Sequence, residues 1–122
     1  MGAIIVCSRI QLQQVLSEIH TGLYNIFGEA LEQVLLYGSY ARGDADSESD
    51  IDVMALVKMP KEQLAKYRHT VNHISSEIDL QYDVFSSIKL QDTDTFYRYA
   101  NVLPFFQNVS REGIRIEKPS AY

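Results

Sequence analysis

Between Ile10 and Phe27 the apolar residues fall at Leu12, Val15, Leu16, Ile19, Leu23, Ile26 and Phe27. Steps of three and four draw one stripe along a helix, and Gly28 supplies a stop. Gln33 to Tyr37 is a short apolar run that predicts a strand covered on both faces. Ile51 to Val57 predicts a second strand, ending near Met59-Pro60. Pro60 suits the first turn of a helix, to which Leu64, Tyr67, Val71 and Ile74 give an apolar face, with Lys61, Lys66 and Arg68 outward. From Ile78 to Phe85 the pattern alternates: Ile78, Leu80, Tyr82 and Val84 point one way, Asp79, Gln81 and Asp83 the other, which predicts a third strand. Asp92 or Thr93 caps a helix through Phe96, Tyr97 and Tyr99, and Pro104 opens another that Gly113 ends. Ile114 to Glu117 reads as a short edge strand.

Helices and strands mix here without repeats, without a regular βαβ rhythm and without a GxGxxG. An α+β fold follows, with a small mixed β-sheet and helices packed on one side, rather than a doubly wound sheet. The 122 residues suit one domain, 1–122. No apolar run approaches the roughly 20 residues that span a bilayer, and the apolar Met1 to Cys7 is too short for a signal sequence. The lone Cys7, read as a small hydrophobe or bystander thiol, excludes an internal disulfide and fits a reducing cytoplasm. A formal charge of −5 disfavours a nucleic-acid backbone as the main partner, since phosphate contacts need a positive footprint. A nucleotide remains open to it, because a few phosphates can be met by metal and backbone N–H groups.

The candidate chemistry lies between the first two strands, in Leu35-Leu36-Tyr37-Gly38-Ser39-Tyr40-Ala41-Arg42-Gly43 and Ser49-Asp50-Ile51-Asp52-Val53. Gly38 lets backbone approach an anion where a Cβ would obstruct it. Ser39 can cap the next helix or donate to a phosphate oxygen, and the first-turn N–H groups point the same way. Asp50 and Asp52, two apart on a strand, share a face roughly 7 Å apart along the chain. Two such carboxylates repel unless a cation sits between them, and hard oxygen ligands beside a phosphate point to Mg²⁺ or Mn²⁺ rather than zinc. Arg42 is divided between reaching a polyphosphate and pairing with the acidic loop of Asp44, Asp46 and Glu48, which reads as solvated.

Gly38-Ser39, the residues between, and Asp50-Ile51-Asp52 together resemble the signature of the DNA polymerase β-type nucleotidyltransferase superfamily. The fuller Gly-Ser-Tyr-Ala-Arg-Gly…Ser-Asp-Ile-Asp is similar to its minimal nucleotidyltransferase (MNT) branch, over Gln33 to Val84. The resemblance implies that the turn holds a triphosphate, ATP or another NTP, and that the Asp pair holds two Mg²⁺ ions. It also implies a third carboxylate on a neighbouring strand, which holds the catalytic metal and helps activate the attacking hydroxyl. Asp83, within Tyr82-Asp83-Val84, matches that position better than Asp79, which stands in reserve. The implied reaction moves AMP from ATP to a hydroxyl, with a HEPN-type toxin as the protein acceptor of an MNT antitoxin. The two rivals are a binding module that neutralises a partner by contact alone, and an aminoglycoside-like small-molecule transferase completed by a second subunit.

Other features carry less. His69 and His73, four apart, lack a neighbouring glutamate and a third ligand and read as a solvent-facing pair. Tyr97, Tyr99, Phe105 and Phe106 read as core or as a subunit or partner interface, which leaves a homo-oligomer open.

Overall fold

The computed structural model describes residues 8–117, so Cys7 and the apolar start of the chain lie outside the described residues. Ser8 caps the first helix, its Oγ accepting from the Gln11 N–H at 3.1 Å. Helix α1 (Arg9–Phe27) buries Val15, Leu16, Ile19, Leu23 and Phe27, the stripe read from the sequence, and ends at Gly28 with φ 56°. A 3₁₀ turn leads into β1 (Leu31–Tyr37). The short helix α2 (Ser39–Arg42) and an acidic loop follow, then β2 (Ile51–Val57). The helical stretch after Pro60 comes in pieces: α3 (Lys61–Leu64), a 3₁₀ turn, and α4 (Arg68–Tyr82). Beyond them lie β3 (Ser86–Asp92), α5 (Thr93–Tyr99), α6 (Pro104–Glu112) and the two-residue β4 (Ile114–Arg115).

The four strands form one mixed sheet in the order β3-β2-β1-β4. β1 runs antiparallel to β2 and β4, and β2 runs parallel to β3. Alternate residues of the central strands feed two cores. Val34, Leu36, Ile51, Val53, Ala55 and Val57 face α1 and α4. Leu35, Met54 and Leu56 face Phe96 of α5 and Phe106 and Val109 of α6. The α+β class and the mixed sheet are as expected. The long helices take one side, and the opposite side is covered as well, by the two short aromatic helices. That accounts for the unbroken apolar runs of β1 and β2: each strand is buried on both faces.

One expected element is overturned. Ile78 to Phe85 is not a strand: helix α4 continues through Tyr82, and Asp83 ends it at φ 54° in the left-handed region. The buried residues of α4 are Val71, Ser75 and Ile78, spaced for a helix, while Leu80 is 88% exposed. The alternation of apolar letters was therefore not an alternation of burial. The third strand starts at Ser86, in a polar stretch, Ser-Ser-Ile-Lys-Leu-Gln-Asp, that carries little apolar signal. The end of α4 is tied to α1 by the Tyr82 hydroxyl, which donates to Glu18, and by Gln11 Nε2, which donates to the Tyr82 carbonyl at 2.6 Å. No helix among the described residues is long and apolar enough to cross a membrane.

Asp92 caps α5 as expected, accepting from the Thr95 N–H at 2.9 Å. Burial alone would push this carboxyl up, but its bonds with Thr95, its own N–H and the charge of Lys61 outweigh that and hold it below the ordinary range. Asp92→Ala should therefore cost about 1 kcal/mol at pH 7. A depressed carboxyl stabilises above its unfolded pKa of about 3.9 and loses that contribution as pH falls through the folded value. The gap between wild type and variant in urea melts should thus close in acid. Helix and strand readings of 78–85 separate in the same assay. Ile78→Ala should cost about 2–5 kcal/mol, and Leu80→Ala should stay within about 0.5 kcal/mol; equal losses would restore the strand.

Candidate active site

The antiparallel register sets Tyr37, the last residue of β1, opposite Asp52. The chain must turn immediately, and Gly38 makes the turn at φ 78°, a conformation L side chains rarely adopt. A Cβ placed on Gly38 would stand 2.6 Å from Asp52 Oδ2. The turn thus rides directly over the carboxylate, and only a residue without a side chain fits. α2 starts at Ser39, and the Ala41 and Arg42 N–H groups both reach back to the Gly38 carbonyl at 3.1 Å. The first N–H groups of a helix lie outside its own ladder and face the side from which an anion would approach.

Asp50 is exposed and Asp52 half-buried. Burial pushes the Asp52 carboxyl up, the Asp50 charge adds to that, and the Arg42 charge partly offsets it. Burial, and after it the Asp52 charge, also push the Tyr37 phenol up. The shift at Asp52 is thus mainly desolvation, with the repulsion between the Asp50 and Asp52 carboxylates added to it. Their all-oxygen donor set fits a hard divalent cation, whose charge would relieve that repulsion.

The acidic loop is more ordered than its composition suggested. Asp46 Oδ1 accepts from the Glu48 N–H at 2.9 Å, and Ser49 Oγ accepts from the Asp46 N–H at 2.9 Å. This local turn delivers Asp50 to the start of β2, and the Asp-x-x-Ser spacing was its signal. Both open roles of Arg42 retain a basis. Its guanidinium meets Asp44 at 3.3 Å and Glu112 of α6 at 3.3 Å, while its charge still acts on Asp52.

The structure separates the two candidates for a third carboxylate. Asp83 sits exposed at the end of α4, off the sheet, so the strand-face reason for choosing it is removed. Asp79, one turn earlier, accepts from the Ser86 N–H at 2.9 Å and the Ser86 hydroxyl at 2.7 Å. Burial pushes Asp79 up, the Ser86 bonds oppose this, and the charge of Asp50 adds to it. Asp79 thus lies within electrostatic reach of Asp50. The neighbouring strand itself brings Ser87 opposite Asp52 and Lys89 opposite Met54. Among the described residues no group of three or more His, Cys, Asp or Glu is arranged to hold a metal ion.

Sequence reasoning missed Tyr37, Ser87 and Glu112 as neighbours of the site. Tyr37 was legible as the residue before the glycine turn. The other two come from β3 and α6, elements that no short motif links to the turn.

Comparison with known proteins places the chain in a family. The nucleotidyltransferase domain family matches residues 16–103. "Putative protein adenylyltransferase MJ0141" of Methanocaldococcus jannaschii is 32% identical over 88% of this chain and 100% of its own length. A Sulfolobus solfataricus structure described as a "putative nucleotidyltransferase" superposes with a TM-score of 0.62 at 22% identity, covering 89% of this chain and 82% of that one. A toxin–antitoxin structure solved with AMP-PNP superposes with a TM-score of 0.51 at 13% identity, covering 89% and 75%. The two structural likenesses concern the fold. The family match and the archaeal relative go further, and by them this chain, with its glycine turn over an aspartate pair, belongs to the nucleotidyltransferase domain family.

Proposed function

We propose that this protein is a Mg²⁺-dependent adenylyltransferase that moves AMP from ATP to a hydroxyl on a partner protein in the cytoplasm, the partner being a toxin of the HEPN class. The observation that carries the reading is the packing of Gly38 against Asp52, a turn suited to an anion beside a carboxylate suited to a cation. The name of the archaeal relative supports protein adenylylation, and the toxin–antitoxin structure with AMP-PNP supports the kind of partner.

In this reading Gly38 and Ser39 hold the triphosphate, and Arg42 leaves Asp44 and Glu112 to meet its charge. Asp50 and Asp52 hold the metal, which when bound lowers the pKa of the attacking hydroxyl and neutralises the leaving pyrophosphate. In-line attack forms an oxygen–phosphorus bond at the α-phosphorus, breaks the bond to pyrophosphate and releases the hydroxyl proton. The remaining contribution of the chain is positioning. Asp79 replaces Asp83 as the proposed third carboxylate, because Ser86 of β3 fixes it with two hydrogen bonds and the Asp50 charge reaches it.

One observation favours a second reading. Ser87, not a carboxylate, stands opposite Asp52 on β3, and a site built on two carboxylates would serve a module that binds its partner and a nucleotide without turnover.

Transfer of label from α-labelled ATP to a co-purified partner decides between them. Transfer should occur with wild type and fall in Asp52→Asn by more than the about 10–100-fold that loss of an outer metal partner costs. Asp79→Asn should fall as well, and Asp83→Asn should keep wild-type activity. Partner inhibition without any labelling, and unchanged in Asp52→Asn, would establish the binding module instead.

Stability supplies an independent check. A carboxyl raised in the folded state holds its proton to higher pH than in the unfolded chain, so its contribution to stability falls as pH rises through that window and stays low at pH 7. Metal-free Asp52→Asn should therefore melt a few degrees above wild type at pH 7, with the gain vanishing below pH about 4. Mg²⁺ should raise the melting temperature of wild type and not of the variant.

A further inference from the structure

β3 is the outer strand of the sheet. Ile51 N–H donates to the Phe85 carbonyl at 2.8 Å, so Phe85 turns its backbone towards β2. Alternation along the ladder then turns Ser87, Lys89 and Gln91 inward and Ser86, Ile88 and Leu90 outward. The outward Ser86 N–H is already taken by Asp79. Among the described residues no partner from outside the sheet meets the N–H groups of Ile88 and Leu90. They form a short unpaired edge, the usual template for an added strand.

Two adjoining hollows of ≈ 400 and ≈ 330 Å³ run along this edge and share Arg68, Lys89 and Leu90. The groove is basic although the chain carries a net −5: Lys61 and Arg68 flank it on the α4 side, and Lys89 on the Asp52 side. Its acid, Asp92, is 7% exposed and occupied in capping α5. Phe105, 42% exposed with Lys89 Nζ 5.7 Å above its ring, forms an apolar wall. Ser87 lies on the face of Asp52 and directly across from it. Strands lie about 4.8 Å apart, so a residue laid opposite Ser87 would stand about 10 Å from Asp52 with only a serine between.

We propose that an extended, acidic segment of the acceptor protein adds to the free edge of β3, its carboxylates meeting Lys61, Arg68 and Lys89, and that this docking brings the acceptor to Asp52. The proposal rests on the protein-acceptor reading above and names the surface that reading lacks. A second copy of the chain is the poorer occupant, since pairing two β3 edges would set their cations against each other.

The test uses two fluorescent peptides of about ten residues, one alternating glutamate with valine and the other lysine with valine. The glutamate peptide should bind and the lysine peptide should not. Binding should weaken at least tenfold in the Arg68→Glu/Lys89→Glu variant and in high salt. Amide exchange at Ile88 and Leu90 should slow when the glutamate peptide is present. Both substituted side chains are exposed, and an unchanged circular dichroism spectrum and melting temperature would show the variant folded. Equal binding of both peptides, or protection confined to another surface, would overturn the proposal. So would loss of ATP binding in step with peptide binding, because the cations would then serve the nucleotide. Failure of the adenylyltransfer reading shows separately, as an absence of label transfer by a protein that still binds the peptide.

Discussion

Everything at the site depends on how closely the end of β1 can approach β2. Tyr37 faces Asp52 across the antiparallel pair, and the next residue must reverse the chain within van der Waals reach of the carboxylate. A glycine at φ 78° meets both demands, of conformation and of space. The register that imposes them is itself held by burial. Even-numbered residues of β1 and odd-numbered residues of β2 feed the α1/α4 core, and the alternate set feeds the α5/α6 core. A slip by one residue would turn Asp52 into the α1/α4 core and Val53 out of it. Packing across the whole sheet is thus what aims one carboxylate.

The same packing sets the electrostatics. Asp52 is buried deeply enough to be raised, and Asp50 stands close enough to raise it further. Asp92 makes the contrast: it is more deeply buried, yet the Thr95 N–H and its other partners hold it below the ordinary range. One carboxylate is matched by the fold and the other is left for a cation to match. Arg42, shared between Asp44 and Glu112, links the site to the C-terminal end of α6. α6 also places Phe105 edge-on to Tyr37 at 5.7 Å between ring centres, so the α5/α6 side of the sheet reaches the site.

Much of the fold was legible in the pattern of letters. The stripe of α1, the doubly buried β1, the strand β2, the Asp92 cap, and the Pro104 start and Gly113 end of α6 all express local rules. The failure at 78–85 has an equally physical cause. Over eight residues an apolar alternation and a helical stripe can share letters, and only burial separates them: Ile78 packs inward while Leu80 faces solvent. β3 was missed because an edge strand with one polar face needs little apolar signal to form beside a strong central strand. The strand-based reason for choosing Asp83 as third carboxylate went with it, since Asp83 ends a helix instead.

The sequence by itself determined the glycine turn, the paired carboxylates and their family, because each rests on residues close in the chain. A glycine, a hydroxyl and two aspartates at fixed spacing carry the family resemblance before any folding. Tertiary structure alone decided what surrounds them: Asp79 within electrostatic reach of Asp50, Ser87 opposite Asp52, Glu112 on Arg42, and cations along an open edge. Those neighbours come from α4, β3 and α6, up to 70 residues away from the turn. Their positions follow from which strand pairs with which and where helices end, and no local spacing encodes that.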